Sequence, residues 1–497
     1  MIGWLPENAH PWIAEATTAA GSIVLLAMSR VGSLERKAGD VALLVVAMSA
    51  LASVIALDAP QGYVLERVTV ADPFAGFFRF VLAMCALATT WLSTRSREGT
   101  GPAAALSWSL LLVALLGMDL MVSSISILSA WCGFAISGLA SALWIASRHE
   151  GSGGEHPALP LLVQSAIGCA LLLAGFTLLF ALTGASDFPG IGSHRSVALA
   201  APGGAAVWYV AAVLVLAALG QRIGAAPLHA WRVDAAGTSS IAAAAWLEIA
   251  SSIAALALLT RVLRFALCSG VSPEGAWAVS PLERWPDLLS VLAMLAMVVG
   301  NFGALRAADL RRMTAYLATA QAGALLMGLV SLSDDALRAC LFHAVAFALS
   351  LAGMLAVLAP VVEQAGSSDF EALRGLARRR GGARWSAAAL ACFVLSLAAV
   401  PPFGGFSGKV ALITAAYGGG RSVLVAASAL ASVLALLLGV RILATLLDRP
   451  ADPDEPVHVD FEAALLAGLL LAGTIVIGML PEALASFASR SVVFFGG

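Results

Sequence analysis

The stretch LSLAAVPPFGGFSGK, Leu395–Lys409, reads as a membrane helix broken near its middle. Apolar residues run on either side of it, from about 385 to 411. Pro401 and Pro402 remove two helix donors and clash one turn back, and Gly404 and Gly405 follow at once. Irregular backbone at membrane depth persists only where protein or water satisfies it. Just past the break stands Lys409, one of only two lysines among 28 basic residues; the other is Lys37. A lysine can exchange its proton in a desolvated site, whereas arginine effectively cannot. Lys409 therefore reads as a switchable charge, the alternative being a side chain that snorkels to an interface.

The rest of the composition agrees with a membrane setting. The chain is 60% hydrophobic and 12% charged over 497 residues, about half the charge of a typical soluble domain. Its mean hydropathy is +0.92. A formal net charge of −2 says little about partners. The opening MIGWLPENAHPW lacks the basic start of a signal peptide, so the first apolar run is expected to stay as a span. The six cysteines lie in apolar runs without a CxxC pair and read as small core residues.

Runs of helix length, about 20 mostly apolar residues, number about fourteen. They fall near 11–29, 39–57, 73–93, 103–121, 123–146, 159–184, 205–224, 240–266, 286–305, 311–331, 337–361, 385–411, 421–446 and 461–487. An all-α polytopic membrane protein follows, and a β-barrel is excluded because strict alternation is missing. Basic residues sort by side. Arg30, Arg36, Lys37, Arg95, Arg97, Arg148, Arg306, Arg311, Arg312, Arg374, Arg378, Arg379, Arg380, Arg384 and Arg449 all fall in alternate connections. By the positive-inside rule both termini face outward. A second interruption, LGQRIGAAPLHAWRVDAAGTSS, follows the seventh run, with Gly224 and Pro227. Paired broken helices in two halves point to an inverted-repeat transporter with its pathway near the midplane.

Charged and polar groups inside apolar runs are expensive and mark pathways or pairs. Besides Lys409 they are Arg222 at the end of span 7, Glu248 in span 8, Gln321 in span 10 and His343 in span 11, with His229 beside Pro227. Glu248 reads as a proton-relay carboxylate or as one half of a fixed ion pair with Arg222. His343 could relay protons or be a hydrogen-bonded core histidine. His229 could simply pack a loop. Gln321 can conduct through a water chain but holds no net charge. The sequence has no Walker loop, dinucleotide fingerprint or HExxH, and GNFGA suits close helix packing rather than phosphate. Haem ligation by His229 and His343 is disfavoured because no second pair exists.

Several stretches together resemble one family. GAAPLHAWRVDA, GNFGALRAADLRRMTAYLATAQAGALLMGL, LRGLARR and LSLAAVPPFGGFSGK are similar to the antiporter-like membrane subunits of respiratory complex I and Mrp antiporters, with subunit N of NADH–quinone oxidoreductase the nearest pattern. The resemblance covers about residues 110–415. It implies two inverted five-helix repeats with helices 7 and 12 broken: spans 4–8 within 103–266 and spans 9–13 within 286–446. Three helices within 1–102 would precede them and one, 461–487, would follow. It implies a hydrated axis of charge. It also implies membrane-arm partner subunits in a bacterial-type inner membrane, no cofactor in this chain, and NADH, FMN, iron–sulfur clusters and quinone on the partners. No nucleic acid is implied.

The departures from the family pattern fall on that axis. The family's span-5 glutamate is Ala135 here, and between Glu98 and Glu150 the one acidic residue is Asp119, near a span end. The span-7 lysine is Arg222, the span-8 lysine falls at Ser252 beside Glu248, a frequent span-10 histidine is Gln321, and an Ala–Pro pair is Ser239–Ser240. Lys409 is retained. The expected function is redox-driven proton translocation. Glu248, His343 and Lys409 would carry charge, coupled through Arg222 by about 2 kcal/mol at ~8 Å and an effective dielectric near 20. The alternatives are a non-pumping brace of such a complex, or a subunit of a related hydrogenase, multisubunit cation/proton antiporter or inorganic-carbon pump.

Overall fold

The computed structural model describes residues 12–31, 34–58, 61–64, 67–94, 104–148, 158–268, 270–272, 275–279, 283–449, 459–492 and 494. The start of the first expected span, Arg95, Arg97, Glu98 and Glu150 lie outside them. The first half comprises α1 (Ile13–Met28), α2 (Ala38–Ile55), α3 (Pro73–Thr94), α4 (Ala104–Ser123), α5 (Ile127–Ala146), α6 (Ala158–Thr183), α7 (Phe188–Ala200), α8 (Gly204–Ile223) and α9 (Ala230–Thr238). One long helix, Ile241–Leu267, joins α10 (Ile241–Ala245) and α11 (Ser251–Arg261) through a π-helical turn, Trp246–Ala250, and closes in a second, Val262–Leu267. The second half comprises α12 (Trp285–Arg306), α13 (Leu310–Val330), α14 (Asp334–Ala365), α15 (Ala383–Leu397), α16 (Gly404–Gly418), α17 (Ser422–Leu447), α18 (Phe461–Met479) and α19 (Pro481–Ser491). Two antiparallel ribbons of two strands, Gly62–Val64 with Thr69–Ala71 and Gly270–Val271 with Trp277–Ala278, lie in connections.

Twelve helices among the described residues are long and apolar enough to cross a membrane. The expected runs 11–29 and 385–411 correspond instead to shorter helices: α1, and the pair α15–α16 separated by residues 398–403. The prolines account for the second case, since they deny the helix its donors where the sequence turns irregular.

Burial follows position in the bundle. The Ile241–Leu267 helix is buried along its length, with α13 and much of α14 beside it. Helices α6, α17 and α18 are peripheral and expose Leu159, Val433 and Leu469. Close approach uses small residues, as membrane helices require. A Cβ on Gly300 of α12 would sit 2.4 Å from the Ala320 nitrogen of α13, so the glycines of GNFGA serve packing.

The arginine-bearing connections collect at one end. Arg311 Nη1 donates to the Ser239 carbonyl (3.0 Å), Arg441 Nη1 to those of Leu305 and Ala307, and Arg374 pairs with Asp448 at 2.9 Å. The opposite end is stapled by buried ion pairs. Arg261 grips Asp72 with two hydrogen bonds of 2.7 and 3.0 Å, and Arg264 meets Asp334 at 2.5 Å. Arg195 pairs with Glu283, which also accepts from Trp208 Nε1 at 2.9 Å.

Candidate functional site

Two polar stations lie inside the bundle, one at each interrupted helix. The first begins at the last turn of α8. Gly224 caps that helix in the left-handed region, φ +79°, and a Cβ there would lie 2.2 Å from Cζ of Arg232. Glycine is thus required both by the turn and by the guanidinium lying over it. From α9, Arg232 reaches back: its Nη2 donates to the Arg222 carbonyl at 3.2 Å and to Ser252 Oγ at 2.8 Å. It thereby satisfies a carbonyl at the C-terminus of α8. The Trp231 indole does the same for the Gln221 carbonyl at 3.2 Å.

Glu248 is fully buried in the π-helical turn, where its Oε1 accepts from Thr314 Oγ1 of α13 at 3.2 Å. Single π turns inside α-helices recur at functional positions, because the extra residue re-aims a side chain. Glu248 lies within Coulombic reach of Arg232, but no ion pair closes between them. The pairing with Arg222 considered from the sequence is not formed. Arg222 turns toward α5 and α6, donating to Ser137 Oγ at 2.8 Å, with its guanidinium 5.0 Å from the Phe134 ring centre.

The second station lies at the break between α15 and α16. The Leu397 carbonyl would normally accept from the residue four positions on, which is Pro401 and has no N–H. Gln321 Nε2 fills that place from α13 at 3.2 Å. The same amide accepts through Oε1 from His343 Nε2 of α14 at 2.9 Å. Beyond His343 lies Lys409 of α16, buried at 5% exposure and within its Coulombic reach. No hydrogen bond or ion pair from the described residues reaches the Lys409 ammonium. Tight contact permits the arrangement: a Cβ on Gly408 would stand 2.9 Å from His343 Nδ1. Ser350, Ser396 and Thr474 form a hydroxyl cluster that also accepts from the Gly405 N–H.

Two cavities border the helices that carry these stations. One, of about 590 Å³, lies at the arginine-rich end among Arg148, Ser239, Ser240, Arg311 and Glu363, at the start of the helix that carries Glu248. Another, of about 770 Å³, is lined by Ala339 and Phe342, which bracket the turn before His343, and by Ser407 and Ala411, which flank Lys409. They touch opposite ends of the 32-residue α14, a length of about 48 Å. Openings at opposite ends with titratable groups between them can hand protons across, provided water links them.

Of the residues singled out from sequence, Gln321, His343 and Lys409 come together, while Glu248 and Arg222 stand apart in the first half. His229 joins neither set; it is partly buried and packs on the Tyr316 ring at 5.8 Å. Arg232 was overlooked because it lies in an interrupted segment and reads as a loop arginine. A further buried cluster was also missed. Arg79 of α3 pairs with Glu15 of α1, and Asp119 of α4 lies beside them at 2% exposure, one turn from its helix end. Arg79 stands in the apolar run FFRFVLAM, which was its available signal.

The family model described as "NADH:quinone oxidoreductase/Mrp antiporter, TM" matches residues 124–435. A curated relative named NADH-quinone oxidoreductase subunit N 1, from Solidesulfovibrio magneticus, is 32% identical over 96% of this chain and 97% of its own length. NADH-quinone oxidoreductase subunit N 2 of Sorangium cellulosum is 30% identical over 88% and 87%. Among solved structures, a chain of respiratory complex I from Thermus thermophilus superposes with TM-score 0.78 at 22% identity, covering 96% of this chain and 99% of that one. A chain of the Mrp complex from Dietzia sp. gives 0.81 at 18% identity over 98% and 97%.

Proposed function

This chain belongs to the NADH:quinone oxidoreductase/Mrp antiporter family of membrane subunits, and on that footing we propose that it is an antiporter-like membrane-arm subunit of a complex I-type NADH–quinone oxidoreductase, carrying protons through its two interior stations. The observation that carries this reading is Lys409: a buried lysine without a hydrogen-bond or ion-pair partner among the described residues, beside the His343–Gln321 chain and a helix break. A structural lysine at such depth would be expected to have a fixed counter-charge.

In this reading Glu248, His343 and Lys409 hold and pass protons. Arg222 and Arg232 remain charged and set the field. Gln321 holds His343 in place and offers no site for net charge. The wide cavities supply the two openings, and interior water bridges the gaps between side chains. Residues 103–266 and 286–446 act as two inverted repeats, each with one interrupted helix, in a bacterial-type inner membrane with both termini outward. The redox chemistry, with NADH, FMN, iron–sulfur clusters and quinone, belongs to partner subunits. The runner-up is a brace that pumps nothing. The buried pairs Arg261–Asp72, Arg264–Asp334 and Arg195–Glu283 favour it, since they hold the bundle rigid at one end.

The test is purification of the chain with its stably bound partners, followed by reconstitution in vesicles. Flavin and iron–sulfur subunits should co-purify, and Lys409→Met should impair redox-driven proton translocation while assembly stays normal. Co-purification with antiporter subunits alone would refute the redox complex. Unchanged translocation in Lys409→Met would refute the proton path.

A further inference from the structure

The first station contains an ion pair that is complementary but not made. Arg232 is 1% exposed, and its Nε and Nη1 have no hydrogen-bond partner among the described residues. Glu248 is 0% exposed, and its Oε2 likewise has none. The two groups lie within Coulombic reach of each other yet close no ion pair. Buried donors and acceptors are almost always paired, so orphans of opposite sign near one another need a reason. What keeps them apart is visible. The one engaged arm of the guanidinium, Nη2, is held by Ser252 Oγ and the Arg222 carbonyl. The engaged carboxylate oxygen is held by Thr314. Ser252 is itself one turn from Glu248, and its hydroxyl donates to the Glu248 carbonyl at 2.8 Å. Thr314 contributes a neutral hydroxyl, and the other charged group bearing on the pair among the described residues is Arg222, whose field acts on Arg232.

We propose that Arg232 and Glu248 form a two-position ion pair, open in this structure with Arg232 anchored on Ser252, and closed when Glu248 is ionised. The inference rests on the proton-carrying reading above and adds Arg232 as its positioning residue in the first half. When Glu248 gives up its proton, the proton passes to interior water. The new carboxylate charge is then answered by the guanidinium, which stays protonated throughout. Its Nε–H and Nη1–H are free but lie on different edges of the guanidinium, so side-on contact with the carboxylate pairs Nε with Nη2 once Nη2 leaves Ser252. Reprotonation of Glu248 releases the guanidinium to Ser252. Each passage of a proton thus moves a fixed positive charge within the interior, which a neutral relay could not do.

The experiment uses the assembled complex in vesicles. Two readouts are taken: proton translocation at matched quinone-reduction rate, and the infrared carboxyl band assigned to Glu248 by its loss in Glu248→Gln. Arg232→Gln should lower translocation by roughly tenfold or more, the scale on which losing one member of a buried charge couple acts. It should also shift the Glu248 band, and Arg232→Lys should restore part of both. Ser252→Ala removes only the anchor and should shift the same band in an intact fold, which decides the matter should Arg232→Gln fail to assemble. An unshifted band in Arg232→Gln, or in Ser252→Ala where that stands in, would overturn the pair and leave Arg232 as a helix cap. If wild-type vesicles translocate no protons, the proton-carrying reading fails, and the band shifts still decide the pair.

Discussion

Replacing Gln321 by leucine should disable the second station. The side chain is 4% exposed and makes two bonds: Nε2 to the Leu397 carbonyl at 3.2 Å, and Oε1 from His343 Nε2 at 2.9 Å. Leucine has a similar volume and makes neither. The Leu397 carbonyl then faces Pro401, which has no N–H to give it. His343 is left without a partner on either nitrogen, since Nδ1 already has none. Each buried polar group left unsatisfied costs about 1–3 kcal/mol, so the gross loss is roughly 2–6 kcal/mol. Burying leucine instead of an amide returns about 1–2 kcal/mol. A net destabilisation of about 1–4 kcal/mol remains, concentrated where α13, α14 and the break meet. If about half of the middle of that range, roughly 1.3 kcal/mol, is felt by the proton-transfer barrier, the rate falls roughly tenfold. The assay is translocated charge per quinone reduced in vesicles, with the thermal inactivation midpoint of the same preparation. A Gln321→Leu complex that matches wild type in both would refute the reasoning.

Asp72→Asn should cost about 3–5 kcal/mol, because it strips the charge from a bidentate pair in which both side chains are fully buried and leaves Arg261 uncompensated; the amount of assembled complex and its thermal midpoint report this. In Gly405→Ala the new Cβ would lie 1.9 Å from the Ser396 carbonyl oxygen, so a loss of about 1–3 kcal/mol is expected. Gly418→Ala on the same helix meets nothing within 4 Å and should be neutral or slightly stabilising by comparison in the same thermal assay. The Arg449 backbone N–H and the nearby Arg374 hold the Asp448 carboxyl below its usual range, so the tie to Arg374 is complete at neutral pH and is lost only as acid takes the pH down through that lowered value. Hydrogen exchange at the Gly375 amide, bonded to the Thr445 carbonyl at 2.9 Å, should accelerate in Asp448→Asn at neutral pH, and an unchanged rate would refute the tie.

The helical membrane architecture was legible because hydrophobic runs of this length have few other uses. Both interruptions were legible too, since Pro401–Pro402 and Gly224–Pro227 spell out lost donors and permitted turns. The burial of Glu248, Gln321, His343 and Lys409 followed from the same reading: few polar residues lie in apolar runs, so each stands out. Partnership did not follow. Arg222 and Arg232 are ten residues apart, and which of them faces Glu248 depends on a positive φ at Gly224 and on a π-helical turn. Neither leaves a mark in the hydrophobic period. The Arg261–Asp72 pair spans 189 residues, and the Glu15–Arg79–Asp119 cluster joins three helices. Such contacts are set by packing across the bundle, to which local spacing is blind.

The most direct measurement of whether Lys409 works by exchanging its proton compares Lys409→Arg with Lys409→Met in reconstituted vesicles. Arginine keeps the positive charge and much of the length but does not release its proton. If proton exchange at this nitrogen is the working step, both variants should assemble normally and both should lose redox-driven translocation. Full translocation in Lys409→Arg would contradict it, because a permanent charge would then suffice.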